Sequence, residues 1–297
     1  MNTPQIEAKN LANKLGLTAP LFLKREDMHC YGSHKGRSIP VMMQKYIGDG
    51  QRNFVISSSG NSALAAALYT RDYNIKHPTE QITLTIFVGK KINQEKLDII
   101  KTIITNNIEI KQISNPKQSA FLMDKNGKAK NLRQSTDKNA LTGYEELTRE
   151  LAEIKNLAAV FVPTSSGTTA QGLYEGFKKT NLNPQIHIVQ TDVCHPLVKN
   201  DSSTPLRSGR NDRASLANAI VDKVAHRKNK IKIVLKNSHG NGWIANNNDI
   251  RSAIKLVNDT EHVEISPNSA LAIVGLQQAL ASGKIFTGTI VCLLTGK

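Results

Sequence analysis

Among the residues of this chain that could do chemistry, Lys35 has the most suggestive setting. It stands in the run Lys24-Arg25-Glu26-Asp27-Met28-His29-Cys30-Tyr31-Gly32-Ser33-His34-Lys35-Gly36-Arg37, in a small-residue turn just ahead of an amphipathic segment. A lysine amine becomes a covalent catalyst once it can lose its proton, and partial burial or a neighbouring cation lowers its pKa enough for that. It can then form a Schiff base with an aldehyde cofactor or a carbonyl substrate. His34 and Arg37 flank Lys35 and are placed to contribute. A Gly-Ser-x-Lys turn also fits a solvated lysine at a helix start, so the company Lys35 keeps along the chain decides.

That company is two strand-loop-helix junctions. Asn53-Phe54-Val55-Ile56 reads as a short buried strand, followed by Ser57-Ser58-Ser59-Gly60-Asn61 and an alanine-rich helix over 62–70. Ala158-Ala159-Val160-Phe161-Val162 is a second such strand. Pro163-Thr164-Ser165-Ser166-Gly167-Thr168-Thr169-Ala170 follows it, then a helix from Gln171 to Lys179. Small residues between a parallel strand and a helix leave backbone N–H groups at the helix N-terminus, where they and the helix dipole favour a phosphate or carboxylate. The hydroxyls of Ser165, Ser166, Thr168 and Thr169 can bond the same anion. One such loop is an ordinary N-cap. Two of them with an upstream lysine turn predict a cofactor site.

The blocks Lys24–Arg37, Ser58–Ala63 and Pro163–Gly172 together resemble the pyridoxal-phosphate enzymes of fold type II. That family holds threonine synthase, threonine and serine dehydratases, cysteine synthase and the tryptophan synthase β chain. The resemblance covers nearly the whole chain. Thr3-Pro4 stands where these enzymes carry a Thr-Pro near the start. Gly143-Tyr144-Glu145-Glu146-Leu147 is similar to the Gly-Tyr-x-Thr segment of threonine synthases, and Ile290-Val291-Cys292-Leu293-Leu294-Thr295-Gly296 to their closing strand and Thr-Gly turn. The implied fold is α/β, with two open-sheet lobes and pyridoxal 5'-phosphate in the cleft between them.

Carried over by position, the resemblance implies a role for each block. Lys35 would hold the cofactor covalently and, once released, move protons at Cα and at Cβ. Asn61 would bond the ring's 3-hydroxyl oxygen. Ser58, Ser59, Gly60, Asn61 and Ser62 would receive the substrate carboxylate, and Ser165, Ser166, Gly167, Thr168 and Thr169 the cofactor phosphate. Thr295 would meet the pyridine nitrogen. A hydroxyl does not keep that nitrogen protonated as an aspartate would, which tempers the electron sink and favours elimination or replacement over transamination.

The chain also departs from the family pattern. The phosphate loop is usually dominated by glycine, whereas here it reads Thr-Ser-Ser-Gly-Thr-Thr, so hydroxyls must supply contacts that backbone donors would otherwise make. Ser62-Ala63 replaces the usual residue-Gly pair. His34 resembles the tryptophan synthase β chain, where most relatives have phenylalanine; it would lie against the phosphate or pack under the turn. The Glu-Thr-Gly-Ala-Gly motif of that chain is absent, which argues against indole chemistry.

The length of 297 residues suits two lobes. No run approaches the ~18 apolar residues of a membrane span, and the start lacks a signal-peptide layout. Cys30, Cys194 and Cys292 are scattered, with no zinc-type spacing, so no metal is expected and a reduced cytoplasmic enzyme fits. Cys194-His195 is not read as a catalytic dyad, because neighbours on an extended segment point apart. The net charge of +15 has three readings: lysine drift in a Lys/Asn/Ile-rich composition, steering of anionic substrates, or nucleic-acid binding. The basic residues are spread out, with clusters at Lys223–Lys232 and Lys90-Lys91, and aromatics do not interleave with them, so nucleic acid ranks last. A homodimer acting on a small amino acid is expected.

Strands and helices alternate throughout, as in parallel sheets covered by helices. Further strands are expected at Ile82–Val88, Ile108–Ile113, Ile186–Gln190 and Ile290–Leu294. Helices are expected near Gln5–Leu15, Ser38–Ile47, Gln94–Ile104, Gly143–Lys155, Asn248–Asp259 and Ser269–Ala281. The family arrangement implies a large cofactor-binding lobe, 1–48 and 143–297, and a small mobile lobe, 49–142, that closes over substrate. The chain ends two residues after Thr295, so no appended regulatory domain is expected. Gly143-Tyr144 and Thr295 favour threonine synthase-like chemistry, O-phosphohomoserine to threonine and phosphate. The alternatives are a serine/threonine dehydratase, a cysteine synthase-like β-replacement, and a basic binding protein on a cofactor-free scaffold.

Overall fold

Short runs of Val, Ile, Leu and Phe, bounded by turn residues and followed by amphipathic segments, build parallel strands, of which the central ones are buried on both faces. The computed structural model describes residues 2–90, 92, 94–198 and 214–296. In chain order the first half runs β1 (Gln5–Glu7), α1 (Lys9–Lys14), β2 (Leu21–Lys24), α2 (Lys35–Gly48), β3 (Asn53–Ser57), α3 (Asn61–Lys76), β4 (Thr83–Gly89), α4 (Gln94–Lys101), β5 (Ile108–Ile113), α5 (Pro116–Lys125), β6 (Lys130–Asn131) and α6 (Asn139–Thr142). The second half runs α7 (Tyr144–Ala152), β7 (Leu157–Pro163), α8 (Thr168–Lys179), β8 (Gln185–Thr191), α9 (Lys228–Ser238), β9 (Gly242–Ala245), α10 (Asn247–Glu261), α11 (Pro267–Ala281) and β10 (Thr289–Leu293).

These elements form two units, Met1–Asp27 with Glu145–Lys297, and Met28–Tyr144. The first carries a sheet of order β1-β2-β10-β7-β8-β9, parallel except for the antiparallel edge pair β1–β2. The second carries a wholly parallel sheet of order β5-β4-β3-β6. Both sheets are open, as the α/β expectation requires. The boundary differs from the one expected: residues 28–48 group with the smaller unit. The reason is packing, since Ile39, Met42 and Met43 of α2 are wholly buried in the core that also holds Ala63, Ala66, Ile56 and Leu84.

The first unit's core is built on α11, whose Leu271, Ile273 and Leu276 pack with Phe161, Ile290 and Cys292 of the sheet. A buried ionic cluster ties its ends. Lys24 Nζ donates to the Thr3 carbonyl at 2.8 Å and to Glu150 Oε2 at 2.5 Å. Thr3 Oγ1 donates to Glu26 Oε1, and the Thr3 N–H donates to Glu150 Oε2 at 3.3 Å. The Thr3-Pro4 block thereby acquires a structural role: Thr3 bridges two carboxylates and an ammonium through three of its own atoms.

One expected helix is corrected. Gln5–Leu15 divides into β1 and the six-residue α1, because Gln5, Ile6 and Glu7 pair with Lys24, Leu23 and Phe22. The remaining expected helices and strands are present, Ile108–Ile113 with its expected bounds and the others with shifted ends. Not anticipated were β1, β2, β6, β9, α5, α6 and α9. Lys91, of the Lys90-Lys91 cluster, lies outside the described residues. No described helix is long and apolar enough to cross a membrane. Among the described residues no three His, Cys, Asp or Glu side chains are grouped as a metal ion would require.

Candidate active site

In the smaller unit, Lys35 opens α2, and its backbone N–H donates to Ser33 Oγ at 3.2 Å. The residue as a whole is half-buried, and desolvation of its amine lowers the pKa from 10.5 to about 8. Desolvation is the only cause, with no contribution from the flanking cations the sequence suggested. Arg37 is itself buried, two positions along the helix. His34 is buried as well, with its ring stacked on Tyr144 at a centroid separation of 6.4 Å. The turn is held from the other side by His29. A Cβ on Gly36 would lie 2.2 Å from His29 Nδ1, so only glycine fits beside that imidazole.

The serine-rich loop of the same unit runs from β3 to α3. Ser58, Ser59, Gly60, Asn61 and Ser62 are all half-buried. Gly60 is the extended N-cap of α3 and no side chain caps that end. A long helix that starts without a side-chain cap leaves its dipole and first-turn donors to a ligand or to water. Ser58 Oγ accepts the Gly60 N–H at 3.3 Å, and Ser62 Oγ donates to Gln134 Oε1 at 3.1 Å. Gln134, 8% exposed and 72 residues further on, was not anticipated. It lies between β6 and α6, where no regular pattern draws attention.

In the other unit, Ser165–Thr169 connect β7 to α8. Gly167 is the N-cap of α8 in the left-handed region, φ +87°. A Cβ there would lie 2.6 Å from Ile231 Cγ1 of α9, so both conformation and space demand glycine. Ser166 Oγ and Thr168 Oγ1 are hydrogen-bonded at 2.8 Å, and Thr168 and Thr169 are buried. Ser165 turns elsewhere: its Oγ accepts the N–H groups of Val221 and Asp222 at 3.1 and 3.2 Å. Gln190, fully buried, braces the loop by donating to the carbonyls of Thr164 and Ser165, both at 3.2 Å. Thr295 lies buried just beyond β10, and the next carbonyl, Gly296, accepts from Ser266 Oγ and Ser269 Oγ.

Each unit therefore gathers part of the expected set. Lys35, His34 and Ser58–Ser62 belong to one, and Ser165–Thr169 and Thr295 to the other. The residues fit pyridoxal phosphate chemically. An amine of lowered pKa suits the aldehyde. A helix start opened by a glycine that admits no Cβ, with paired hydroxyls, suits the phosphate.

Comparison with known proteins agrees with this reading. The chain matches the family described as "Pyridoxal-phosphate dependent enzyme" over residues 1–296. It is 27% identical to a threonine synthase of Halalkalibacterium halodurans, over 99% of this chain and 81% of that protein. Among solved structures it is similar to threonine deaminase isoform 2 of Solanum lycopersicum, with a TM-score of 0.80 and 21% identity, covering 100% of this chain and 79% of the other. It is also similar to a pyridoxal 5'-phosphate-dependent aspartate racemase, with a TM-score of 0.81 and 18% identity over 100% and 90% of the two chains.

Proposed function

Since the chain belongs to the pyridoxal-phosphate-dependent enzymes of fold type II, we propose that it performs elimination or replacement at the β or γ carbon of an amino acid, converting O-phosphohomoserine to threonine and phosphate. The observation that carries the chemistry is Lys35, an amine that desolvation brings to about pKa 8 at the head of α2. The substrate choice is supported by the likeness to a threonine synthase over 99% of the chain.

The bound cofactor supplies an electron sink for the charge that develops at the substrate Cα. The remaining roles are those of the chain's own residues. Lys35 would hold the cofactor through its aldehyde, and its amine would take the proton from the substrate Cα. With its pKa at about 8, the amine is free in about one molecule in ten at pH 7, against fewer than about one in a thousand for an unperturbed lysine. Ser58, Ser59, Gly60, Asn61 and Ser62 receive the substrate carboxylate at the uncapped start of α3, with Ser62 held in place by Gln134. Asn61 would hold the cofactor ring through its 3-hydroxyl. Ser165, Ser166, Gly167, Thr168 and Thr169 hold the phosphate, Ser165 mainly by fixing the loop to residues 221 and 222. Thr295 would hold the ring nitrogen with a hydroxyl, an arrangement that disfavours transamination.

The test is to purify the protein with pyridoxal phosphate and add serine, threonine, O-acetylserine, O-phosphoserine and O-phosphohomoserine in turn, following the visible spectrum and the products. Release of phosphate and threonine from O-phosphohomoserine is expected. Ammonia and a 2-oxo acid from serine or threonine, with O-phosphohomoserine inert, would replace this reading by a dehydratase. Borohydride reduction and peptide mapping should place the cofactor on Lys35 and on no other lysine.

A further inference from the structure

Where β7 leaves its sheet, a side chain of the neighbouring strand takes over its main chain. The Thr164 N–H still donates to the Val189 carbonyl of β8, at 2.8 Å. The carbonyls of Thr164 and Ser165 accept instead from Gln190 Nε2, both at 3.2 Å. Gln190 Oε1 in turn accepts the Leu197 N–H at 2.9 Å. Gln190 is fully buried, and its partners fix which way its amide points: two carbonyls need the NH2 end, and an N–H needs the oxygen. The same amide anchors Leu197, whose Cδ1 stands 3.4 Å from where a Cβ would lie on Gly167. One point of β8 thus holds both the loop and a residue packed against its glycine.

That hold dictates where the loop's own donors point. The described chain has no cis peptide bond, and in a trans peptide the N–H points opposite to the C=O of the same plane. The Thr164 carbonyl shares its plane with the Ser165 N–H, and the Ser165 carbonyl with the Ser166 N–H. Drawing both carbonyls onto one amide therefore turns two successive N–H groups away from Gln190. Among the described residues, neither N–H meets an acceptor in the protein. Successive N–H groups turned outward just ahead of a helix make a concavity for an anion. The Ser165 hydroxyl is committed elsewhere, to the N–H groups of Val221 and Asp222. What Ser165 has left to offer an anion is its backbone.

We propose that Gln190 is a positioning residue for the cofactor phosphate: by holding the Thr164 and Ser165 carbonyls, it turns the N–H groups of Ser165 and Ser166 outward to receive that anion. This rests on the reading that residues 165–169 hold the phosphate. It also explains how a loop with a single glycine keeps backbone donors for its ligand, beside the hydroxyls of Ser166, Thr168 and Thr169.

The experiment compares two ligands that differ only in the phosphate. Full-length protein freed of cofactor is titrated with pyridoxal phosphate and with pyridoxal, following the visible band formed with the lysine. Q190M keeps the side chain's length and removes its amide. Its preference for the phosphorylated ligand should fall about 10- to 100-fold, as expected when donors to a charged group are turned aside, with pyridoxal binding held within about threefold. Equal weakening toward both ligands would show a packing role and overturn the proposal, as would an unchanged preference. A second measurement uses the parent protein and the backbone amide signals of residues 165–169 in nuclear magnetic resonance spectra. Those of Ser165 and Ser166 should move further downfield with pyridoxal phosphate than with pyridoxal. If Q190M does not fold, this measurement decides alone. If the amides of residues 167–169 distinguish the two ligands while those of Ser165 and Ser166 do not, the loop still holds the phosphate and only the role of Gln190 falls. If no amide from 165 to 169 distinguishes them, the loop reading falls too.

Discussion

Gly143 sits against the backbone of Arg37 so closely that a Cβ at 143 would lie 2.1 Å from the Arg37 carbonyl oxygen and 2.6 Å from Ser38 Cα. The junction between α6 and α7 is thereby pressed onto the first turn of α2, two residues past Lys35. The adjoining Ser38 Oγ donates to the Ala140 carbonyl at 2.7 Å, and Tyr144 stacks under His34. The Gly143-Tyr144 pair that marks the sequence is therefore the floor of the lysine turn.

Gly143→Ala tests that floor. Both obstructing atoms are backbone, so no flexible side chain can move aside. Overpacking of this kind costs about 1–3 kcal/mol. The urea midpoint should fall by a corresponding amount at unchanged slope, and cofactor uptake should weaken because the Lys35 turn shifts. A midpoint equal to the parent's would mean that the junction yields freely and does not hold the turn.

The lysine, its two loops and most of the sheet were legible in the sequence because their signals are local. Ile108–Ile113 alternates within its own six residues and forms β5 with those bounds. Ser57–Asn61 and Pro163–Ala170 announce themselves by small residues between an apolar run and a helix. What stayed hidden depends on partners far along the chain. Ile6 reads as part of a helix until Leu23 is there to pair with it. Lys24 looks like a surface cation, yet its carboxylate partner stands 126 residues away. Gln134 and Arg227 reach their loops across 72 and 59 residues, and nothing in their own surroundings announces it. Arg227 was visible only as part of a basic cluster whose other members are solvated.

The depressed pKa of Lys35 gives the cofactor-free protein a definite pH response. A desolvated amine of pKa about 8 in the fold and 10.5 when unfolded opposes folding while it is charged. Below pH 8 both states hold the proton and the penalty is complete. Between pH 8 and 10.5 the unfolded chain binds the proton and the fold does not. This contribution therefore makes stability rise with pH across that window, by at most about 3 kcal/mol. Lys35→Met removes the effect, and the stability difference between parent and variant should follow that slope. Acylation of Lys35, followed by mass spectrometry, should be half-maximal in rate near pH 8. A midpoint near 10.5 would show that the amine is not desolvated.

The Lys24–Glu150 pair is buried on both sides, with side-chain exposures of 1% and 5%. Removing one partner strands the other in a low-dielectric interior, which costs about 3–5 kcal/mol, whereas replacing both by apolar groups is often close to neutral. Glu150→Gln should therefore destabilise the protein more than the double change Lys24→Met with Glu150→Leu. Denaturant titration of the parent and the two variants reads the order directly. A double variant as weak as the single one would assign the stabilisation to the Thr3 and Glu26 contacts of the cluster instead of to the ion pair.

Thr295 provides the sharpest test of the reaction class, since it is 4% exposed, beyond the end of a fully buried strand. Thr295→Asp places a carboxylate where a hydroxyl stood. Without cofactor the buried charge has no added cation to meet it, and a carboxylate in that position costs several kcal/mol. The cofactor-free variant should melt well below the parent. With pyridoxal phosphate bound, a protonated ring nitrogen beside the introduced carboxylate would offset its charge. The gain in melting temperature on adding cofactor should then be larger for the variant than for the parent. The same carboxylate–pyridinium contact strengthens the electron sink. Side transamination should increase, seen as loss of the cofactor's aldehyde absorbance with stoichiometric 2-oxo acid, while elimination or replacement slows. If the variant gains no extra stabilisation from cofactor and its aldehyde band persists through turnover, Thr295 does not meet the ring nitrogen, and the preference for elimination must come from another part of the site.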